Sequence, residues 1–421
     1  MSLQGPLLVV ADAPATAPVE ALSAAGAFPI VETTWADAPT AFVSVKPAAV
    51  VIAEPGAPKS EASGRMLALQ IATSQGAIVP IVAMADAERD AAIPTALTAD
   101  AAQPIDRMVG RLASALRVRA LHSTVLRRIE TFAAQGGTMP ALPIGDPLDD
   151  ATVLVAGRGP LYPALAVAMG EHAKMVGALS VEAAAKHLEE RDIDGIVIGD
   201  GFSDRMLEAF LDVLGHESRF HEIPVAVMGK IPDGFAGDLP NLECVNGAPD
   251  RLVSRMVPRV RLHALESRLK RMLHALDTDG LFDPETGLLT PEAFWRELDK
   301  AVAEATDRSH ALTLARFSFD GVHDERSRRD GARRAFKLMR AIDFACGDDD
   351  GALLVAFTQT DLRSAHIVAR RLAAAIKNIM RAPTNPNDRI TANVTLASFK
   401  AGDTLQSLLQ RVLASPMVAA E

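Results

Sequence analysis

Cysteine, aromatic residues and long apolar runs are all scarce in this chain. Cys244 and Cys346 are its only cysteines in 421 residues. Two cysteines make no disulfide framework and nothing else points to export, so both read as reduced core residues of a cytoplasmic protein. No apolar run is long enough to cross a bilayer and no signal-peptide pattern is present, which excludes membrane insertion by a helix. Aromatics make up 4%, with one tyrosine and two tryptophans. A basic surplus is missing too. The net charge of −10 argues against nucleic acid as a partner, so any cationic site must be local. What is abundant is alanine within a 49% hydrophobic composition. That suits a globular chain of two to four domains with Ala-rich helices around sheets.

The first 275 residues read as a tandem repeat. Leu7–Val10 and Val153–Val155 are short apolar strands near the start of each copy. Ala49–Ile52 and Gly195–Ile198 follow as third strands, and Ile78–Val82 and Ile223–Val227 as fourth strands. Helical patterns lie between them, so each copy reads as a parallel sheet wrapped by helices. Each copy ends in a long amphipathic helix, with Arg117-Val118-Arg119 and Arg259-Val260-Arg261 at matching points. Gly136-Gly137, Pro140, Pro143 and Pro147 mark the linker.

This layout resembles two-component receiver domains, which are doubly wound and flavodoxin-like. The resemblance implies an acidic pair after the first strand, an acceptor Asp after the third, and a Lys before a proline. Copy one instead has Ala11-Asp12, Ala53 followed by Glu54, and Gln103 before Pro104. Copy two has Gly157-Arg158, Gly199 followed by Asp200, and Ala248 before Pro249. The acyl-phosphate chemistry of receivers is therefore not expected, although Asp12 and Asp200 are the residues to watch.

The C-terminal third carries a different pattern. Asp283-Pro284-Glu285-Thr286-Gly287-Leu288 precedes a helix over Pro291–Ala305, a strand over Ala311–Phe319 and a helix over Gly331–Met339. Arg340-Ala341-Ile342-Asp343 then stands just before a strand over Ala352–Phe357. The D-x-x-T-G-L and R-x-x-D patterns together resemble the GGDEF domain of diguanylate cyclases. The resemblance implies a mixed sheet and, in working enzymes, a G-G-[DE]-E-F hairpin with a metal-binding Asp on the first strand. Those enzymes need divalent metal against the charge of phosphoryl transfer. Here Asp349-Asp350-Gly351-Ala352-Leu353 stands at the hairpin, or Gly347 to Gly351 in a slipped register, and Arg316 stands at the metal position. The guanine-binding segment shrinks to Gly321–Asp330, and Leu413 to Met417 lacks the C-terminal cations. No catalytic residue, metal or cofactor is therefore assigned.

The resemblance assigns Arg340, Asp343 and Arg371 to a cyclic di-GMP site. A guanidinium fits the guanine O6/N7 edge bidentately, and a carboxylate accepts from guanine N–H groups. As a bare pattern R-x-x-D is weak, because Arg191-Asp192-Ile193-Asp194 also matches it, there as a solvated turn.

The whole chain is similar to PleD-type response regulators, and among them to a PopA-like subgroup of cyclic di-GMP effectors. The expected divisions are a receiver-like domain over 1–135, a receiver-like adaptor over 149–276 and a degenerate GGDEF domain over 277–421. The resemblance implies unidentified protein partners at the receiver-like domains, a homodimer, and recruitment to a cell pole by partners. Leu262, Leu265, Leu269, Met272 and Leu276 have an a/d spacing. They read either as the last receiver helix packed on its own sheet or as a partly dimeric stalk. Two other functions stay open, a scaffold without nucleotide binding and a cyclase with relaxed metal ligation.

Overall fold

The structure is a computed structural model. It describes residues 3–54, 61–85, 93, 95–101, 104–136, 145–232, 234–235, 239–277, 281–308, 310–320, 325–348, 350–377, 391–414 and 418–419. Gly137, Pro140 and Pro143 of the linker, Gln103, residues 321–324, Asp349 and residues 415–417 lie outside the described residues.

The first sheet comprises β1 (Gln4–Val10), β2 (Phe28–Thr33), β3 (Ala49–Ile52), β4 (Ile81–Ala85) and β5 (Leu97–Asp100). Its helices are α1 (Thr16–Ala24), α2 (Ala38–Val45), α3 (Glu61–Ala72) and the long α4 (Asp106–Ala134). All pairings are parallel and the order is β2-β1-β3-β4-β5. The central strands are apolar on both faces because helices cover both. Leu22, Met108 and Leu112 pack against one side, and Trp35, Phe42 and Leu67 against the other. The fourth strand begins at Ile81, three residues later than the apolar run suggests. Pro80 has no N–H to give, and its carbonyl accepts from Val50 just before pairing starts.

The second sheet repeats the plan with β6 (Thr152–Ala156), β7 (Lys174–Ala178), β8 (Gly195–Ile198), β9 (Val225–Met228) and β10 (Leu242–Val245). Between them run α5 (Tyr162–Gly170), α6 (Val181–Glu190) and α7 (Asp204–His216), and α8 (Pro249–Asp277) follows. The order, read from the other edge, is β7-β6-β8-β9-β10, again parallel. Both sheets thus have the doubly wound 2-1-3-4-5 order. Their second and fifth strands are edges whose short, partly polar sequences carry little periodic signal.

The third sheet is antiparallel at every pairing among the described residues, and not mixed as the resemblance implied. It joins β11 (Leu312–Asp320), β12 (Phe344–Gly347), β13 (Leu353–Thr358), β14 (Thr391–Ser398) and β15 (Val418–Ala419) in the order β12-β13-β11-β14-β15. Its helices are α9 (Pro291–Arg308), α10 (Glu325–Leu338), α11 (Leu362–Lys377) and α12 (Leu405–Ala414). Helices α10 and α11 cover one face, while α9 and α12 cover the other. The α10 helix starts at Glu325, six residues earlier than expected from Gly331. Its first turns are too polar to register as an amphipathic pattern, and Glu325 and Arg329 pair along them.

The long helices tie the three sheets together. Val118, Leu121, Val125, Ile129 and Phe132 on α4 share a core with Leu269, Leu273 and Leu276 on α8 and with Phe294 and Leu298 on α9. Fully burying each such side chain stabilises by about 1.5–3 kcal/mol. The a/d stripe of α8 therefore packs beneath α4 of its own chain. The sequence left a dimeric stalk open. In this structure Leu269 and Leu276 are covered within one molecule.

Buried ion pairs fix the register of this packing. Glu243 on β10 receives Arg111 of α4 at 2.9 Å and Arg255 of α8 at 3.1 Å, and it also pairs with Arg259. Burial alone would raise the Glu243 pKa, but the guanidiniums, Arg259 foremost, hold it below the usual carboxylate range. Arg111 falls to about 9 through burial and the neighbouring Arg259. Further along α4, Arg127 and Arg128 reach Glu297 of α9 at 2.8 and 3.5 Å. Arg127 also lies over the Phe344 ring, 5.3 Å from its centroid.

Candidate functional site

The D-x-x-T-G-L segment is a self-contained turn. Asp283 Oδ1 accepts from Glu285 N at 2.9 Å and its Oδ2 from Thr286 Oγ1 at 2.8 Å. Thr286 Oγ1 in turn accepts from Leu288 N. Gly287 has φ of 76°, and a Cβ there would press on the Phe336 ring at 3.2 Å. Only glycine meets both demands. Arg329 pairs with Glu285 at 2.9 Å, and Arg333 Nε donates to its carbonyl. The turn therefore anchors α10 through Arg329 and Arg333.

Arg340 follows just beyond the end of α10. Its Nε and Nη2 donate to Asp343 Oδ2 and Oδ1 at 3.0 and 3.1 Å, a bidentate pair. Nη2 also donates to Thr358 O and Thr360 Oγ1. Asp343 is buried, and its Oδ1 accepts from Thr358 N at 3.1 Å. Burial pushes the Asp343 carboxyl above its ordinary value, and the Arg340 guanidinium works against that rise. Between the two threonines, Gln359 holds φ of 50°, a left-handed conformation that costs a non-glycine residue about 1–2 kcal/mol.

Arg340, Asp343 and Arg371 line one groove of about 540 Å³. Its walls are Arg334 and Leu338 from α10, Gln359 and Thr360 from the turn, and Ser364, Val368 and Leu372 from α11. Arg371 is exposed and, among the described residues, makes no ion pair. The groove thus combines apolar walls with three guanidiniums, those of Arg334, Arg340 and Arg371. Sequence reasoning missed Arg334, whose only signal is its place on α10 six residues before Arg340. Thr358 and Thr360, which hold Arg340, carried no signal either.

The decoy R-x-x-D differs in detail from a solvated turn. Arg191 and Asp192 are exposed, but Asp194 is buried. It accepts from Thr152 N at 3.1 Å and meets His263 Nδ1 at 3.1 Å. A buried tether between β6 and α8 replaces the expected solvation.

The β12–β13 hairpin places carboxylates against Arg316. Arg316 Nε lies 3.7 Å from Asp348 Oδ2, and its Nη2 pairs with Asp350. Gly351 takes φ of 81° there, and a Cβ on it would stand 2.6 Å from Arg328 Nη1.

The acidic residues beyond the first and third strands of each parallel sheet are also engaged. In the first sheet, Glu54 Oε1 accepts from Asp12 N and from Trp35 Nε1, both at 3.1 Å. Asp12 Oδ1 accepts from Trp35 N at 3.2 Å. Trp35, 1% exposed, thus reaches Glu54 through its indole N–H and Asp12 through its backbone N–H. In the second, Asp200 Oδ1 accepts from Leu161 N at 3.2 Å, and its carbonyl accepts from Arg158 N and Gly159 N. Arg158 closes the loop by donating to Gly201 O at 2.8 Å.

Cys244 and Cys346 are both free. Cys346 is buried, its thiol pushed up to about 12 by burial and the nearby Asp348. No helix of the described residues is long and apolar enough to cross a membrane.

Neither a protein-family model nor a curated protein matches the sequence. Among solved structures, the chain is similar to the coiled coil and GGDEF domain of DgcB from Caulobacter crescentus in complex with c-di-GMP. Identity there is 22% over 35% of this chain and 84% of that one, with a TM-score of 0.29. It is similar to the diguanylate cyclase SiaD in complex with its activator SiaC from Pseudomonas aeruginosa at 21% identity, over 35% of this chain and 62% of that one, with a TM-score of 0.30. The FimX GGDEF domain from Pseudomonas aeruginosa is 18% identical over 32% of this chain and 89% of that domain, with a TM-score of 0.28.

Proposed function

We propose that this chain is a non-catalytic cyclic di-GMP receptor that acts through protein–protein contacts in the cytoplasm. The observation that carries the reading is the groove uniting Arg340, Asp343 and Arg371. Three guanidiniums on apolar walls suit a flat, anionic, guanine-bearing ligand, which offers O6/N7 edges, π faces and phosphates. Asp343 acts mainly by holding Arg340 in place, since both of its oxygens already receive that side chain. Arg316, paired with Asp348 and Asp350, disfavours a cyclase. A cation there opposes a divalent metal and occupies the carboxylates that would hold one. On this reading the two parallel units are receiver-like domains that have lost phosphorylation, and the third is a degenerate GGDEF domain, as in PleD-type regulators.

Calorimetric titration with cyclic di-GMP, on wild type and Arg340→Ala, tests the proposal. Saturable binding that weakens in the variant supports it. No binding by the wild type leaves the scaffold reading in its place.

A further inference from the structure

We infer that the outer face of α10 and α11 docks an acidic protein segment that also carries apolar side chains. Residues 325–340 and 362–377 hold eleven basic side chains against two acidic ones, in a chain whose net charge is −10. The two helices pack side by side over one face of the third sheet. Their cations therefore form one field and not scattered points. Lys337, Arg363 and Arg371 make no ion pair among the described residues and are exposed.

Apolar side chains are interleaved with those cations. Leu338 is 45% exposed, Leu362 42% and Ile367 52%. A solvated charged face has no use for them, and exposed apolar surface rimmed by charge marks contact sites. Arginines outnumber lysines on the two helices, the composition of protein interfaces, where Arg is enriched and Lys depleted. Planar guanidiniums pair bidentately with carboxylates, and the apolar side chains between them match a protein segment better than a bare phosphate backbone. The acidic remainder of the chain also disfavours an extended polyanion.

Arg371 and Leu338 belong both to this face and to the wall of the ligand groove. A bound ligand would therefore reshape the docking face. That link rests on the receptor reading, whereas the docking face does not.

The test uses the full chain and a labelled helical peptide of glutamate and leucine as probe. A lysine–leucine peptide and phosphatidylserine vesicles serve as controls. Anisotropy should show the acidic peptide binding to wild type, with hydrogen-exchange protection on α10 and α11. Lys337→Glu with Arg363→Glu should weaken it about tenfold while the melting temperature holds. Leu362→Ser with Ile367→Ser provides a second arm without charge change, and should weaken it as well. No binding by wild type, binding by either double variant as tight as that of wild type, or a preference for vesicles or for the lysine peptide overturns the inference. Should cyclic di-GMP fail to bind wild type while the peptide binds as described, the receptor reading falls and the docking face stands.

Discussion

Arg316 Nε stands 3.7 Å from the Asp348 carboxylate, across the β12–β13 hairpin. A cation on the first antiparallel strand and an anion on the turn neutralise each other where phosphoryl chemistry would need both free for other partners. The purified chain with GTP and Mg²⁺ should therefore yield no cyclic di-GMP by chromatography. Turnover that vanishes in Asp348→Ala or Asp350→Ala would refute the non-catalytic reading.

The groove makes a contrast between two R-x-x-D sequences measurable. Arg340→Ala should cost about 1–3 kcal/mol of cyclic di-GMP binding, roughly ten- to hundredfold in affinity. Asp343→Asn should weaken binding less, by loosening Arg340 without removing it. Arg191→Ala should leave affinity unchanged, because Arg191 is exposed and the motif's Asp194 is tied to Thr152 and His263 instead. Impairment at Arg191 with Arg340 neutral would relocate the site.

Acyl-phosphate formation should fail on both parallel units. The Asp12 carboxylate accepts from Trp35 N, and the Asp200 carboxylate accepts from Leu161 N. Incubation with acetyl phosphate and Mg²⁺ should leave the intact mass unchanged. An added phosphate on Asp12 or Asp200 contradicts this.

Glu243→Gln should destabilise the fold by about 3–5 kcal/mol, because it leaves buried guanidiniums without their shared carboxylate. Chemical unfolding should report the loss as a lower midpoint. A near-neutral result would mean that Arg111, Arg255 and Arg259 find other partners.

Acid should act through His310. Its ring lies 3.4 Å from Arg119, and burial first, then Arg119, lowers its pKa to about 4. The unfolded chain, with an ordinary value near 6.5, binds the proton more readily. Stability is thus full above about pH 6.5 and falls as pH drops towards about 4, by on the order of 3 kcal/mol. His310→Gln should flatten the stability profile over that window, and an unchanged slope would clear His310 of the effect.

Much of this was legible in the residues. Central strands such as Ala49–Ile52 and Gly195–Ile198 were, because strands buried on both faces must be apolar throughout. Edge strands β2 and β7 were not, since Glu32 and Lys174 face water and break the run. Arg340, Asp343 and Arg371 were reached through a family pattern, but the roles of Arg334, Thr358 and Thr360 depend on a turn and a helix meeting in space. The same limit hid Asp194, which is held by Thr152 of β6 and His263 of α8, long-range contacts with no local signature.

The path of α4 sets the order in which the chain can be completed. Its stripe from Val118 to Phe132 is synthesised with the first sheet, yet its cover includes Leu281, Phe294 and Leu298 from far downstream. At ordinary elongation rates that cover arrives on the order of ten seconds later. Until then the helix displays an oily flank on the ribosome, with only α8 to shelter part of it. A fragment that stops after the first sheet should precipitate or recruit chaperones. A fragment holding only the third sheet lacks the beam on which its core was built.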